Sequence, residues 1–334
     1  YDNQGNYAQA LKNYFAALQL FEKIGNKQGI ADSYINIGII YFEQGNYDKA
    51  LENYFAALQL FEKIGNKQSI ASSYNNIGNI YSSQGNYDKA LENHFAALQL
   101  REETGDKQGT AFSYSNIGLI YDNQGHYDKA LENHFASLQL FEKIEDKQNI
   151  ASSYNNIGII YFDQGNYDKA LENYFAALQL FEKIGNKKGI ADSYNNIGNI
   201  YFDQGNSDKA LENYFTSLQL KKEIGDKQGI ADSYNNIGII YDNQGHYAQA
   251  LENHFASLQL KKEIGDKQGI ASSYNNIGEV ERNQGHYDKA LESYFASLQL
   301  KEEIGDKQGT AASYNNIGAV YIKQHKTAEA KKHL

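Results

Sequence analysis

One feature constrains this chain more than any other: a 40-residue unit recurs without insertion eight times from Tyr1 to Val320, opening at positions 1, 41, 81, 121, 161, 201, 241 and 281, and starts a ninth time over 321–334. The blocks opening at Tyr41 and Tyr161 differ at four of 40 positions, which are Glu43/Asp163, Gln68/Lys188, Ser69/Gly189 and Ser72/Asp192. Such similarity points to recent tandem duplication or consensus design. A unit this short cannot enclose its own core, so the copies must stack and bury a shared one. Composition follows from the reuse: proline, cysteine, methionine and tryptophan are absent, where average usage would give about 17 prolines.

Within a unit the apolar residues fall at helical spacing. Ile30, Tyr34, Ile37, Ile40 and Tyr41 recur mostly at steps of three and four, and Tyr47, Leu51, Phe55, Leu58 and Phe61 do the same in the second half; these are the stripes of two amphipathic helices. Strict alternation is missing, so strands are not supported. Between them, Gln44 to Asp48 offers Gly45 for a left-handed helix end, Asn46 as a cap and Asp48 near the positive end of the next helix. Ile224 to Gln228 repeats the logic with Gly225 and Asp226. Two short turns per unit predict antiparallel hairpins, with first helices near 28–44 and second helices near 7–24, each plus multiples of 40. Glu145 stands where the other full units have that second turn's glycine, which marks a weak joint.

These residues resemble the tetratricopeptide repeat. Its marks, a large aromatic, Leu-Gly, Tyr, Gly, Tyr and Ala at set spacings, fall here on Tyr194, Ile197, Gly198, Tyr201, Gly205, Ser207, Ala210, Tyr214 and Ser217, with Ser207 departing from the usual aromatic. The pattern extends from Gly5 to Ala330. The usual proline is replaced by Glu62, Glu182 or Lys222, and six added residues lengthen the helices, as in the long-helix variety of kinesin light chains and bacterial signalling arrays. The resemblance implies an all-α solenoid, a right-handed superhelix over residues 1–334, with the first helices on its concave wall.

Chemistry is sparse. Without cysteine there is no disulfide, thiolate metal site or redox chemistry. Ser33, Ser73 and Ser113 occupy a fixed helix-packing slot, and no phosphate-binding glycine loop is present. His94, His134 and His254 stand where sister units have tyrosine, and His126, His246 and His286 where they have the cap asparagine, so packing and capping roles are expected rather than a metal site. Glu52, Glu92 and Glu132 stand three residues after Lys49, Lys89 and Lys129, an ion-pair spacing. No catalytic site, metal or cofactor is indicated.

The family's groove slots, carried over, place Asn36, Asn76, Asn116, Asn156, Asn196, Asn236, Asn276 and Asn316 on the concave wall, next to Asn155, Asn195 and Asn235. An amide donates and accepts, so it can pair with any peptide backbone; a ladder of amides bonded between adjacent helices fits the same pattern, and the two are compatible. Variable slots on that wall hold Phe42, Phe162 and Phe202 with Asp122, Asp192 and Asp232. The expected function is a protein-interaction scaffold for an extended, basic or neutral peptide. A sensor segment of a larger bacterial signalling protein and a ligand-free or designed array are the alternatives. A net charge of −10 argues against nucleic acid, and no apolar run approaches the roughly 18 residues of a membrane span; an intracellular location is expected. The chain lacks an initiator Met, begins at the last turn of a first helix and ends within a second, which reads as a fragment. Its ends, Tyr7, Leu11, Phe15 and Leu18 on one side and Thr327 to Leu334 on the other, are expected to associate end to end.

Overall fold

The computed structural model describes residues 3–324, with side chains from Asn6 onward. Among them are sixteen α-helices and no strand. The first eight are α1 (Asn3–Ile24), α2 (Lys27–Glu43), α3 (Tyr47–Ile64), α4 (Lys67–Ser83), α5 (Tyr87–Thr104), α6 (Lys107–Asn123), α7 (Tyr127–Lys143) and α8 (Lys147–Asp163). The rest are α9 (Tyr167–Ile184), α10 (Lys187–Asp203), α11 (Ser207–Ile224), α12 (Lys227–Asn243), α13 (Tyr247–Ile264), α14 (Lys267–Asn283), α15 (Tyr287–Glu303) and α16 (Lys307–Lys323). Contacts cluster them into two units, Tyr1–Asn173 and Tyr174–Leu334. Within each, helices that follow one another pack in series, an α-solenoid.

The turns are built as the local residues demand. Gly45 takes φ 71°, donates to the Phe42 carbonyl, and lets Asn46 N–H reach the Tyr41 carbonyl at 2.8 Å. Two orphan carbonyls of α2 are thereby satisfied. Asn46 Oδ1 then accepts from Lys49 N–H, and Asp226 Oδ1 accepts from Gly229 N–H at 3.0 Å, capping α3 and α12. The expected break at Gly5 is absent, because α1 runs straight through it from Asn3. A helix that runs through glycine does so at a cost of about 1 kcal/mol relative to alanine.

Glu145 keeps the glycine conformation, with φ 58° and the same bonds, Glu145 N–H to the Glu142 carbonyl and Asp146 N–H to the Phe141 carbonyl. A side chain there is strained by about 1 kcal/mol. Glu145→Gly is therefore expected to stabilise the protein by about that amount, and an unchanged or lower midpoint in urea would refute the strain.

Each second helix packs on the first helix of the following unit. Ala50, Tyr54 and Leu58 of α3 meet Ile77 and Ile80 of α4 in one buried cluster, while Ala31, Ala57 and Phe61 close the α2–α3 hairpin. Burying a side chain such as Ile77, fully enclosed, contributes about 1.5–3 kcal/mol. Close approach depends on Gly38, where a Cβ would lie 2.5 Å from the Tyr54 ring. Ser33 Oγ donates back to the Gly29 carbonyl at 2.7 Å, a packing role.

Three sequence expectations are corrected. Phe55 is 41% exposed, because Tyr54 beside it takes the inward position and neighbours on a helix cannot share a face. Lys49 does not pair with Glu52; its Nζ lies 5.2 Å from the Tyr41 ring centre, as Lys89 and Lys129 lie over Tyr81 and Tyr121. Leu18 is buried, not open at the chain end, and Phe15, 42% exposed, lies within the 39–51% range of its counterparts inside the array. Thr327 to Leu334 lie outside the described residues.

Candidate functional site

The first helices carry the amides on one face, since positions 40 residues apart share the same helical phase. In the first unit Asn116 Nδ2 donates to Asn75 Oδ1 at 2.9 Å. In the second, Asn276 donates to Asn235 at 2.7 Å, Asn316 to Asn275 at 2.9 Å, and Asn236 to Asn195 at 3.5 Å. Each bond spans 41 residues and ties one first helix to the next. Asn155, Asn156 and Asn196 are half-buried at the same slots. At Asn76 and Asn156 the accepting slot holds Ile35 and Ser115, so the amide pair cannot form. Asn36 is likewise half-buried. A pair uses one of the donor amide's two N–H groups and one lone pair of the acceptor, leaving further capacity on both side chains.

The variable slots divide. Phe42 and Phe162 are half-buried, their rings 5.8 and 5.9 Å from those of Tyr47 and Tyr167, and Phe202 packs on the cluster of Ala210, Tyr214 and Leu218. All three are partly core. The Asp122 carboxyl is pushed up by burial and then by the Asp163 carboxylate, so those two groups lie close enough to repel. Burial also raises Asp163, Asp192 and Asp242, with Asn283 Nδ2 bonded to Asp242 at 3.1 Å. Asp192 and Asp232 have structural cations nearby: Lys221 opposes the shift of Asp192, and Lys261 Nζ is 3.7 Å from Asp232. Arg282 is paired with Glu279.

Those lysines were not legible as core residues. Lys221, Lys261, Lys301 and Arg101 stand where other units have Phe61, Phe141 or Phe181. The lysines are 5–7% exposed, their stems filling the phenylalanine space. Lys301 Nζ donates to Ser313 Oγ at 3.1 Å, and Arg101 to Ser113 Oγ at 2.8 Å and the Gly109 carbonyl at 2.9 Å.

The histidines separate into two sets. His94, His134 and His254 are 1% exposed, each ring against the helix glycine of its unit, and desolvation pushes each down to about 4, aided by Arg101 at His94 and Lys261 at His254. His126, His246 and His286 make no side-chain cap bond, contrary to expectation. The imidazole turns away: His286 Nδ1 sits 2.8 Å from Glu281 Oε2, and His126 and His246 lie 6.3 and 6.1 Å from the Tyr121 and Tyr241 rings. His325 and His333 lie outside the described residues. Among the described residues no group of three or more His, Asp or Glu could hold a metal, and no helix is long and apolar enough to cross a membrane.

A family model described as tetratricopeptide repeat matches residues 1–63, 69–143, 124–183, 149–223, 189–263 and 269–334. No curated protein matches the chain. Solved structures do, at low identity. The apo quorum sensor NprR from B. thuringiensis is 15% identical, with a TM-score of 0.68 over 99% of this chain and 97% of its own. A signal transduction ATPase with numerous domains and a tetratricopeptide repeat sensor, from Pyrococcus horikoshii, is 17% identical, with a TM-score of 0.70 over 97% of this chain and 52% of its own. A Rap protein complexed with Competence and Sporulation Factor is 15% identical, with a TM-score of 0.57 over 98% and 99%.

Proposed function

Because the chain belongs to the tetratricopeptide repeat family, we propose that it is a non-catalytic scaffold whose first-helix wall holds an extended segment of a peptide or partner protein. The observation that carries this reading is the amide ladder, which presents a donor and an acceptor at each rung. Packed helices lie about 10 Å apart, and an extended chain advances about 3.3–3.6 Å per residue, so one rung meets the ligand backbone about every third residue. The raised carboxyls of Asp122, Asp163 and Asp242 favour a basic or neutral ligand over an acidic one. The fold shared with the quorum sensor NprR and with the Rap protein seen with its factor is consistent with peptide capture. A sensor segment within a larger signalling protein is the second reading, supported by the archaeal ATPase whose sensor-bearing chain is about twice as long as the part this fold covers.

Replacing Asn236, Asn276 and Asn316 together by Ala is expected to weaken binding of unstructured peptides of about ten residues by about 1 kcal/mol per lost contact, whatever their side chains. A peptide array probed with labelled protein checks this, with circular dichroism to confirm the fold. Unchanged binding by a folded variant would make the ladder purely structural and remove the main support for the wall.

A further inference from the structure

The second helices of the first unit expose a face that the amide wall does not use. On α3 the exposed ridge is Asp48, Glu52, Phe55, Gln59 and Glu62, and α5 and α7 repeat it residue for residue around Phe95 and Phe135, which are 43% and 40% exposed. Each ridge thus has a phenylalanine and three carboxylates. Of the lysines on these helices, Lys49, Lys89 and Lys129 are drawn aside over tyrosine rings of the preceding first helices, while Lys63 and Lys143 follow the last glutamate of the α3 and α7 ridges.

The ridges share one surface. Tyr74 of α4 feels the charges of both Glu62 on α3 and Glu92 on α5. Tyr114 of α6 feels both Glu102 on α5 and Glu132 on α7, and its hydroxyl donates to Glu102 Oε1 at 3.0 Å. A furrow of 380 Å³ at α5, α6 and α7 is lined by Thr110, Tyr114, Ala136 and Leu140 together with the polar side chains of Glu102 and Gln139 and the cations Lys107 and Lys143. Apolar ribs with acidic flanks disfavour a second copy of the same face and any anionic surface, since like charges meet.

We propose that the face of α3, α5 and α7 docks a basic amphipathic helix of a partner protein. Its apolar stripe lies across Phe55, Phe95 and Phe135, and its lysines or arginines meet the carboxylates on either side. Charge complementarity selects a basic partner, and the helical form follows from the surface: the backbone groups in the body of these helices are already bonded, so an extended ligand would find few partners for its own backbone, whereas a helix satisfies itself. The second unit supplies an internal contrast, because Lys222 and Lys262 replace the last glutamate on α11 and α13 and lie over Tyr234 and Tyr274.

The probe is a fluorescein-labelled leucine–lysine amphipathic helix of about 20 residues, titrated with the whole chain and read by anisotropy, beside the same peptide with glutamate in place of lysine. The basic peptide is expected to bind and the acidic one not. Phe55→Ala, Phe95→Ala and Phe135→Ala together are expected to weaken binding about tenfold or more, while Phe215→Ala, Phe255→Ala and Phe295→Ala together change it by less than about twofold. Should the first triple variant fail to fold by circular dichroism, Glu62→Gln, Glu102→Gln and Glu142→Gln together take its place, again with about tenfold loss expected. Equal losses from both phenylalanine triples, no loss from the glutamine triple, or equal binding of the acidic peptide would overturn the proposal. Retention of binding by the Asn236, Asn276 and Asn316 triple variant separates this face from the amide wall.

Discussion

Acidification from about pH 7 to about pH 4 is expected to destabilise the protein steeply, and three buried histidines account for most of the loss between about pH 6.5 and 4. His94, His134 and His254 are 1% exposed, and their native values are pushed down to about 4 by desolvation, against about 6.5 in an unfolded chain. The unfolded state therefore binds more protons throughout that window, so stability is fully present above about pH 6.5 and is lost as pH falls toward 4. Each histidine contributes a loss of about 2 kcal/mol by pH 5 and about 3 kcal/mol by pH 4. Both ring nitrogens of His134, and Nδ1 of His94 and His254, have no hydrogen-bond partner among the protein groups. Asp122, Asp163, Asp192 and Asp242 act in the opposite sense, because their raised values make the native state take up protons first. The check is urea unfolding across this range for the natural chain and for the variant His94→Tyr, His134→Tyr, His254→Tyr, which installs the residue found as Tyr54 and Tyr214 at the same slot. The variant should lose most of the acid dependence; an identical pH profile would show that the rings are solvated.

Gly38→Val is expected to cost about 3 kcal/mol, at the upper end of ordinary overpacking. A Cβ at Gly38 would lie 2.5 Å from Cε1 and 2.7 Å from Cδ1 of Tyr54. That ring is 3% exposed and is held by Ala50, Leu58, Ile77 and Ile80, so it has nowhere to retreat. Tyr54→Ala alone should cost about 3–5 kcal/mol by leaving a cavity. In the double variant the valine enters that cavity, and the two losses should sum to markedly less than their separate values, a coupling readable in a double-mutant cycle. Additive losses would mean that the glycine is kept for some reason other than close approach.

Local chemistry was legible in the residues alone. The 3.6-residue spacing of Ile30, Tyr34, Ile37 and Tyr41 makes a helix wherever its neighbours lie. Gly45 and Asn46 end one helix and start the next through bonds made within six residues, and Glu145 keeps the left-handed turn for the same reason. The repeat period, the hairpins and the shared helical phase of the wall amides follow from such short-range rules. What the helices present to one another does not. Which of Tyr54 and Phe55 turns inward depends on the rotation of α3 about its axis, and the space above Gly38 settles it in favour of Tyr54; the exposed phenylalanine face is the consequence. Lys49 leaves Glu52 because a tyrosine ring from the preceding helix offers a better-desolvated contact. Lys301 is buried because its stem fits a phenylalanine-sized space and Ser313 waits at the end of it. The amide pairs join residues 41 apart, and a bond over that distance is decided by how whole helices stack.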